Sequence, residues 1–163
     1  MRWTKLNDVV FEYYKPIYEA SRPAMSLSFD KRKVDGKYNG IIREINKREI
    51  SRLYHIESKD GLNWKRKEEI KIKGIDNIVK NFSRDNMSFI GLEDPDVWVG
   101  ENKTVHVYYT IAYKRINHDE YLTYVGHAHG EDIYNLRATM PLLIPDNNVA
   151  IRFKEVSISS ETY

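Results

Sequence analysis

Pro95 constrains this chain more than any other residue. It sits in Gly91-Leu92-Glu93-Asp94-Pro95-Asp96-Val97-Trp98-Val99, a run that reads as a strand, yet it cannot donate a ladder hydrogen bond. That confines it to a strand's first residue or to an edge. A strand opening at Asp94 is therefore expected, with Glu93, Asp94 and Asp96 held on stiff backbone at its mouth. Gly100-Glu101-Asn102 then turns the chain into a returning strand over residues 104–113.

The rest of the sequence reads as strands and turns. Residues 1–20 have no clean period and contain Pro16, so an irregular entry with one short strand is expected. Met25, Leu27 and Phe29 alternate with Ser26, Ser28 and Asp30, which is the period of a strand. Asp35-Gly36 is a hairpin signal, followed by strands over 38–45 and 52–57. Ser58-Lys59-Asp60-Gly61-Leu62-Asn63-Trp64 reads as a turn into a short outer strand. Lys65 to Lys73 mixes both signs around Ile70 and Ile72. A solvated edge strand explains that run better than a nucleic-acid stripe, because charge protects an edge from pairing.

Gly74, Asn77, Asn81, Ser83, Asp85 and Asn86 break any period, so residues 74–90 read as a connector. The second half then repeats the first: strands over 94–99, 104–113 and 121–128, a turn at His129-Gly130-Glu131-Asp132, and an outer element over 133–136. A repeat of four-stranded antiparallel sheets is the plan of propeller blades, with a period longer than the ~40–50 residues of the commonest propeller repeats. Pro141 and Pro145 close the second sheet, and Arg152 to Ser159 reads as the start of a third. The expected fold is all-β, an incomplete propeller of two blades (about 22–73 and 91–140) and part of another (about 150–163). Its open sheet edge invites association with a second copy.

Composition narrows the partners. Across 163 residues, 26 basic and 24 acidic side chains leave a net charge of +2, too balanced for a dedicated nucleic-acid binder. There is no cysteine, hence no disulfide framework or thiolate chemistry. No signal peptide or membrane span is read, which gives the expectation of a soluble, cytoplasmic protein without nucleic-acid or membrane partners. The triplets at Asn81, Asn86 and Asn102 match the N-glycosylation pattern and are read as chance. His127-x-His129 puts two imidazoles on one strand face without an evident third ligand, so no metal and no cofactor are assigned. The tyrosines 108, 109, 113, 121 and 124 fit sheet packing better than sugar stacking. Arg43 is either an anion ligand or the partner of Glu44 or its neighbours in an ordinary ion pair.

The run Gly91-Leu92-Glu93-Asp94-Pro95, followed by Val107-Tyr108-Tyr109-Thr110 and Ala112-Tyr113, resembles the five-bladed propeller glycosidases. It is most similar to the β-mannoside phosphorylases and β-mannosidases of glycoside hydrolase family 130, with a Gly-x-Glu-Asp-Pro-Arg motif and a Tyr-Tyr-x-Thr-Tyr-like strand. Gly36-Lys37-Tyr38 with Ile41-Ile42-Arg43, the Ser58–Trp64 turn and Phe153-Lys154-Glu155 resemble further family features. The likeness covers about residues 22–160, half of a family domain.

The resemblance implies a glycoside or oligosaccharide substrate, hydrolysis or phosphorolysis of β-mannosides or related glycosides, and inorganic phosphate as an optional co-substrate. Asp94 is implied as general acid. Arg43, Glu93, Arg22, Asp96 and Tyr113 are placed around the substrate, although the family has arginine where Asp96 stands and more often asparagine or a small residue where Arg22 stands. Glu93 and Asp94 should point to opposite faces of a strand. The second carboxyl of an inverting pair, roughly 6.5–9.5 Å away, is therefore assigned to Glu155. The alternative is a non-catalytic carbohydrate-binding propeller piece, or half of an assembly completed by another chain.

Overall fold

The structure is a computed structural model that describes Tyr18 and residues 20–142. The chain order is β1 (Ala24–Val34), β2 (Lys37–Ile45), β3 (Ser51–Ser58), β4 (Lys65–Glu69), β5 (Ile72–Lys73), α1 (Ile75–Phe82), β6 (Met87–Val99), β7 (Val105–Arg115), β8 (Tyr121–Gly130) and β9 (Leu136–Ala138). Two antiparallel four-stranded units result, β1-β2-β3-β4 and β6-β7-β8-β9. They join where Ser51 of β3 pairs in parallel with Gly91 of β6, and where β5 adds in parallel to the outer strand β9. The expected entry segment, third sheet and Glu155 lie outside the described residues.

Local chemistry explains the joints. Asp35 and Gly36 both take positive φ, 51° and 75°, as the two-residue β1–β2 hairpin requires. In the first outer turn Asp60 Oδ1 accepts from the amides of Leu62 and Asn63 (2.9 and 2.8 Å). In the second, Asp132 Oδ1 accepts from Tyr134 and Asn135 (2.8 and 2.9 Å). The same Asx-type turn thus closes both units. The second turn is centred on Asp132, after a strand that runs through Gly130, and the outer strand is only Leu136–Ala138.

Two expectations about elements are corrected. Residues 74–90 are not an aperiodic connector, because α1 occupies Ile75–Phe82. Ile75, Ile78, Val79 and Phe82 recur at helical spacing and pack on the core. Two buried tyrosines finish the helix: Tyr113 Oη donates to Val79 O (2.7 Å) and Tyr124 Oη to Phe82 O (3.0 Å). Nor does a strand open at Asp94. β6 begins at Met87, and Pro95 lies inside it at a register slip between Glu93 and Asp96. An interior bulge needs no ladder bond from that residue, so proline is tolerated there.

The larger core lies between the units, joining Ile41 and Leu53 of the first to Val107, Ile111, Tyr113 and Tyr124 of the second. A smaller one, around Ile42, Tyr54, Ile56 and Trp64, covers the opposite face of the first unit. The even alternation expected of β1 is interrupted by a register slip between Met25 and Leu27, and Met25 and Phe29 remain 46% and 40% exposed. Among the described residues no helix is long and apolar enough to cross a membrane.

Candidate active site

At the slip in β6, Asp94 takes φ 45°, a left-handed conformation uncommon for a residue with a side chain. The kink removes the two-fold alternation that would separate neighbouring carboxylates. Glu93 and Asp94 therefore do not diverge; both reach one guanidinium. Arg43 Nη2 donates to Glu93 Oε1 at 2.6 Å and Nη1 to Asp94 Oδ1 at 3.1 Å. Nε donates to Ser51 Oγ (3.0 Å), and that hydroxyl donates onward to Glu93 Oε1 (3.1 Å). The arginine, Glu93 and Ser51 are buried, so their charges and dipoles act with little screening by water.

The backbone explains why these groups meet. Arg43 shares the face of β2 that carries Ile41 into the inter-unit core, so its head is delivered to the seam with β6. At that seam Gly91 has φ 134°, and a Cβ would lie 2.2 Å from Ser51 O. Only glycine lets β3 and β6 approach so closely. From the other side, Ser26 Oγ donates to Asp94 Oδ1 (2.8 Å) and Ser28 Oγ to Asp96 Oδ1 (2.9 Å). Ser28 Oγ also accepts from Val97 N (2.9 Å), tying β1 to β6.

The predicted residues thus divide. Arg43, Glu93 and Asp94 form one cluster, with Asp96 two residues beyond Asp94. Arg43 does not pair with Glu44, whose carboxylate points to the opposite face and meets Tyr18 Oη (2.5 Å) and Arg66 Nε (3.0 Å). Tyr113 is fully buried with its hydroxyl on α1, which makes it a core residue and not a sugar contact. Arg22 is exposed just before β1. Ser26, Ser28 and Ser51 are the participants that the sequence reading missed. The first two were read only as the polar half of an alternation, and Ser51 carried no signal.

Two other polar clusters stand apart. His55, buried between the units, contacts Asn39 Oδ1 through Nε2 (2.9 Å) and Tyr134 Oη through Nδ1 (2.7 Å). Burial holds its pKa below the ordinary histidine value. On the outer face of the second unit, His106 and His127 are likewise lowered, first by burial and then by neighbouring imidazoles. A concavity of about 220 Å³ lies at the first outer turn, lined by Lys37, Glu57, Lys59 and Asp60 among others; it does not include the Arg43 cluster.

No protein-family profile matches the sequence, and no curated protein matches it. Solved structures do. A candidate glycoside hydrolase from Parabacteroides distasonis aligns with a TM-score of 0.55 and 20% identity, over 79% of this chain and 37% of that one. A structure from glycoside hydrolase family 130 aligns with a TM-score of 0.57 and 20% identity, over 74% of this chain and 32% of the other. That family of mannoside phosphorylases contains hydrolases that target β-1,2-mannosidic linkages in Candida mannan. The arabinanase of Bacillus subtilis aligns with a TM-score of 0.56 and 12% identity, over 76% of this chain and 39% of that one. The mostly-β open sheet of this chain is similar in fold to part of these propeller-type structures. The chain spans 32–39% of the length of these structures, and identities this low speak for fold alone.

Proposed function

We propose that this chain forms part of the sugar-processing centre of a glycoside hydrolase or phosphorylase acting on β-mannosides or related glycosides. One observation carries the reading: two adjacent carboxylates, brought together by a strand kink, share a single buried arginine where two sheets meet. Ordinary surface acids would not need a buried guanidinium, since an ion pair removed from water costs several kcal/mol in desolvation per charge.

Asp94 is the general acid in this reading. Its Oδ1 accepts from Arg43 and Ser26, which orient the carboxyl, and proton delivery to the leaving glycosidic oxygen, directly or through a sugar hydroxyl, is assigned to that carboxyl. Arg43 spends Nε and both terminal nitrogens on Ser51, Glu93 and Asp94, which suits a positioning residue better than a phosphate ligand. Glu93, clamped by Arg43 and Ser51, fixes that arginine in turn. Asp96 is proposed as a sugar contact on the rim. Glu155 is proposed to direct water or phosphate to the opposite face of the sugar ring.

The test is turnover of chromogenic β-mannosides with and without phosphate, by this chain and by a longer one carrying any sequence that follows Tyr163. Asp94→Asn is expected to lower turnover by roughly 10²–10⁴-fold, the usual scale of general-acid catalysis. Full activity in that variant removes Asp94 from the chemistry. Sugar binding without turnover in both chains makes the protein a recognition module.

A further inference from the structure

The glycosidase reading does not use the outer face of the second unit, where β7 and β8 place three imidazoles side by side. His106 lies directly opposite His129 in the register, and His127 opposite Tyr108. Ring centroids are 5.3 Å apart for His106–His127, 6.0 Å for His127–His129 and 6.2 Å for His106–His129. His106 Nδ1 and His127 Nε2 face each other at 3.0 Å. Two imidazole nitrogens that close must have a proton or a cation between them, since two bare lone pairs would repel.

The surroundings supply a partner for the other nitrogen of His127. Thr139 Oγ1 lies 3.0 Å from His127 Nδ1. With a cation on Nε2, Nδ1 carries the hydrogen and donates it to Thr139 Oγ1, whose own proton has the carbonyl of Met140 (3.1 Å) or of His127 (3.3 Å) as acceptor. An imidazole oriented by a hydrogen bond from its other nitrogen is how proteins prepare a metal ligand. We propose that His106, His127 and His129 form a binding site for a divalent transition ion of the zinc, nickel or copper class, with Thr139 as the positioning residue for His127.

The dimensions suit such an ion. Zinc–nitrogen bonds of 2.0–2.1 Å at a tetrahedral angle put ligand nitrogens about 3.3 Å apart and ring centroids about 5 Å apart. The His106–His127 pair needs a shift of only a few tenths of an ångström, plus departure of the hydrogen that lies between the two nitrogens. His129 is exposed and becomes the third ligand by rotating inwards. That rotation is required, because the rings are nearly parallel, 14–28° apart. Among the described residues no three such side chains are already arranged to hold a metal ion. Imidazole donors without carboxylates favour these ions over calcium and magnesium, which take oxygen ligands.

The measurement is calorimetric titration of the untagged chain with Ni²⁺ and Zn²⁺, with native mass spectrometry for stoichiometry. One ion per chain is expected, with no heat from Ca²⁺ or Mg²⁺. His106→Gln, His127→Gln and His129→Gln should each weaken binding at least roughly tenfold, and Thr139→Val roughly 10–100-fold by releasing His127. His118→Gln should leave affinity unchanged. Circular dichroism in chelator keeps misfolding apart from ligand loss, and none of these variants touches the Arg43 cluster. No binding at about 1 mM ion, or an affinity that survives His106→Gln or His127→Gln, overturns the proposal.

Discussion

The inner strands of the two units, β1 and β6, follow one backbone plan and carry different chemistry. Each has a register slip, between Met25 and Leu27 in β1 and between Glu93 and Asp96 in β6. Each places a side-chain-bearing residue with positive φ at the slip, Ser26 at 47° and Asp94 at 45°. The matching positions touch: Ser26 with Asp94 and Ser28 with Asp96, both pairs 68 residues apart. β1 makes its kink without proline, so Pro95 does not create the kink in β6. It fills a position where the ladder is already interrupted. The preference of a residue before proline for extended backbone opposes the φ of Asp94, and the bonds from Arg43 and Ser26 hold it there. The partner strands differ as well. Opposite the slip, β2 offers Arg43 where β7 offers Thr110. The architecture is built twice; the charge is divided, acids on one unit and the arginine on the other.

The sharpest way to break this arrangement is Arg43→Met. It leaves the buried Glu93 without its guanidinium, and removing one member of a buried ion pair costs about 3–5 kcal/mol. Urea unfolding should register the loss, and adding Glu93→Leu should restore part of it. A double variant less stable than the single would mean that the pair does not couple the units. Next comes Gly91→Ala, expected to cost roughly 2–4 kcal/mol from overpacking against Ser51 and a strained φ. An unchanged midpoint would show that β3 and β6 do not meet as closely as described. Ser28→Ala removes one bond to Asp96 and one to Val97, about 1–2 kcal/mol. A loss confined to the first unit's hydrogen-exchange protection would disconnect it from the seam.

The sequence made the turns legible because their chemistry is local. Asp35-Gly36 needs two positive φ values and Asp60 needs two amides within three residues, so a short window suffices. The kink at Asp94 was not legible, since it depends on Ser26 and Arg43, distant in sequence. Treating β6 as an ideal strand sent Glu93 and Asp94 to opposite faces, and the bulge brings them to one arginine. α1 was hidden by Gly74, Asn77 and Asn81, breakers by type, although Ile75, Ile78, Val79 and Phe82 keep helical spacing. Tyr113 read as sheet packing from its own strand, while the family resemblance set it beside the substrate; its role in holding a helix carbonyl requires knowing that the helix exists.

Between the units, His55 gives a pH signature. Burial keeps its folded pKa below 6.5, so the unfolded chain binds the proton first on acidification. Its contribution is complete above the unfolded value and declines as pH falls from 6.5 towards the folded value. Thermal unfolding between about pH 7 and 5 should show this decline, and His55→Gln should flatten it. A wild-type slope retained in that variant would assign the decline to other groups.

The smallest expected effect compares the two outer turns. Amide bonds from Asn63 and Leu62, with side-chain bonds from Asn63 and Ser58, hold the Asp60 carboxyl far below its usual 3.8. Its folded value is depressed, so its contribution is present above 3.8 and fades as pH falls below it. Asp132 makes the same amide bonds in the second turn, but only Asp60 also accepts from a serine hydroxyl, Ser58 Oγ at 2.9 Å. Asp60→Asn keeps an acceptor for the turn and removes the titration, so it should flatten the acid limb of the melting curve with little change at neutral pH. An acid limb that stays unchanged in Asp60→Asn would show that the bonds around this carboxyl do not carry it. If Asp60→Asn unfolds the first unit at neutral pH, the turn requires the charge itself, and likeness of backbone between the units would not extend to what holds each of them closed.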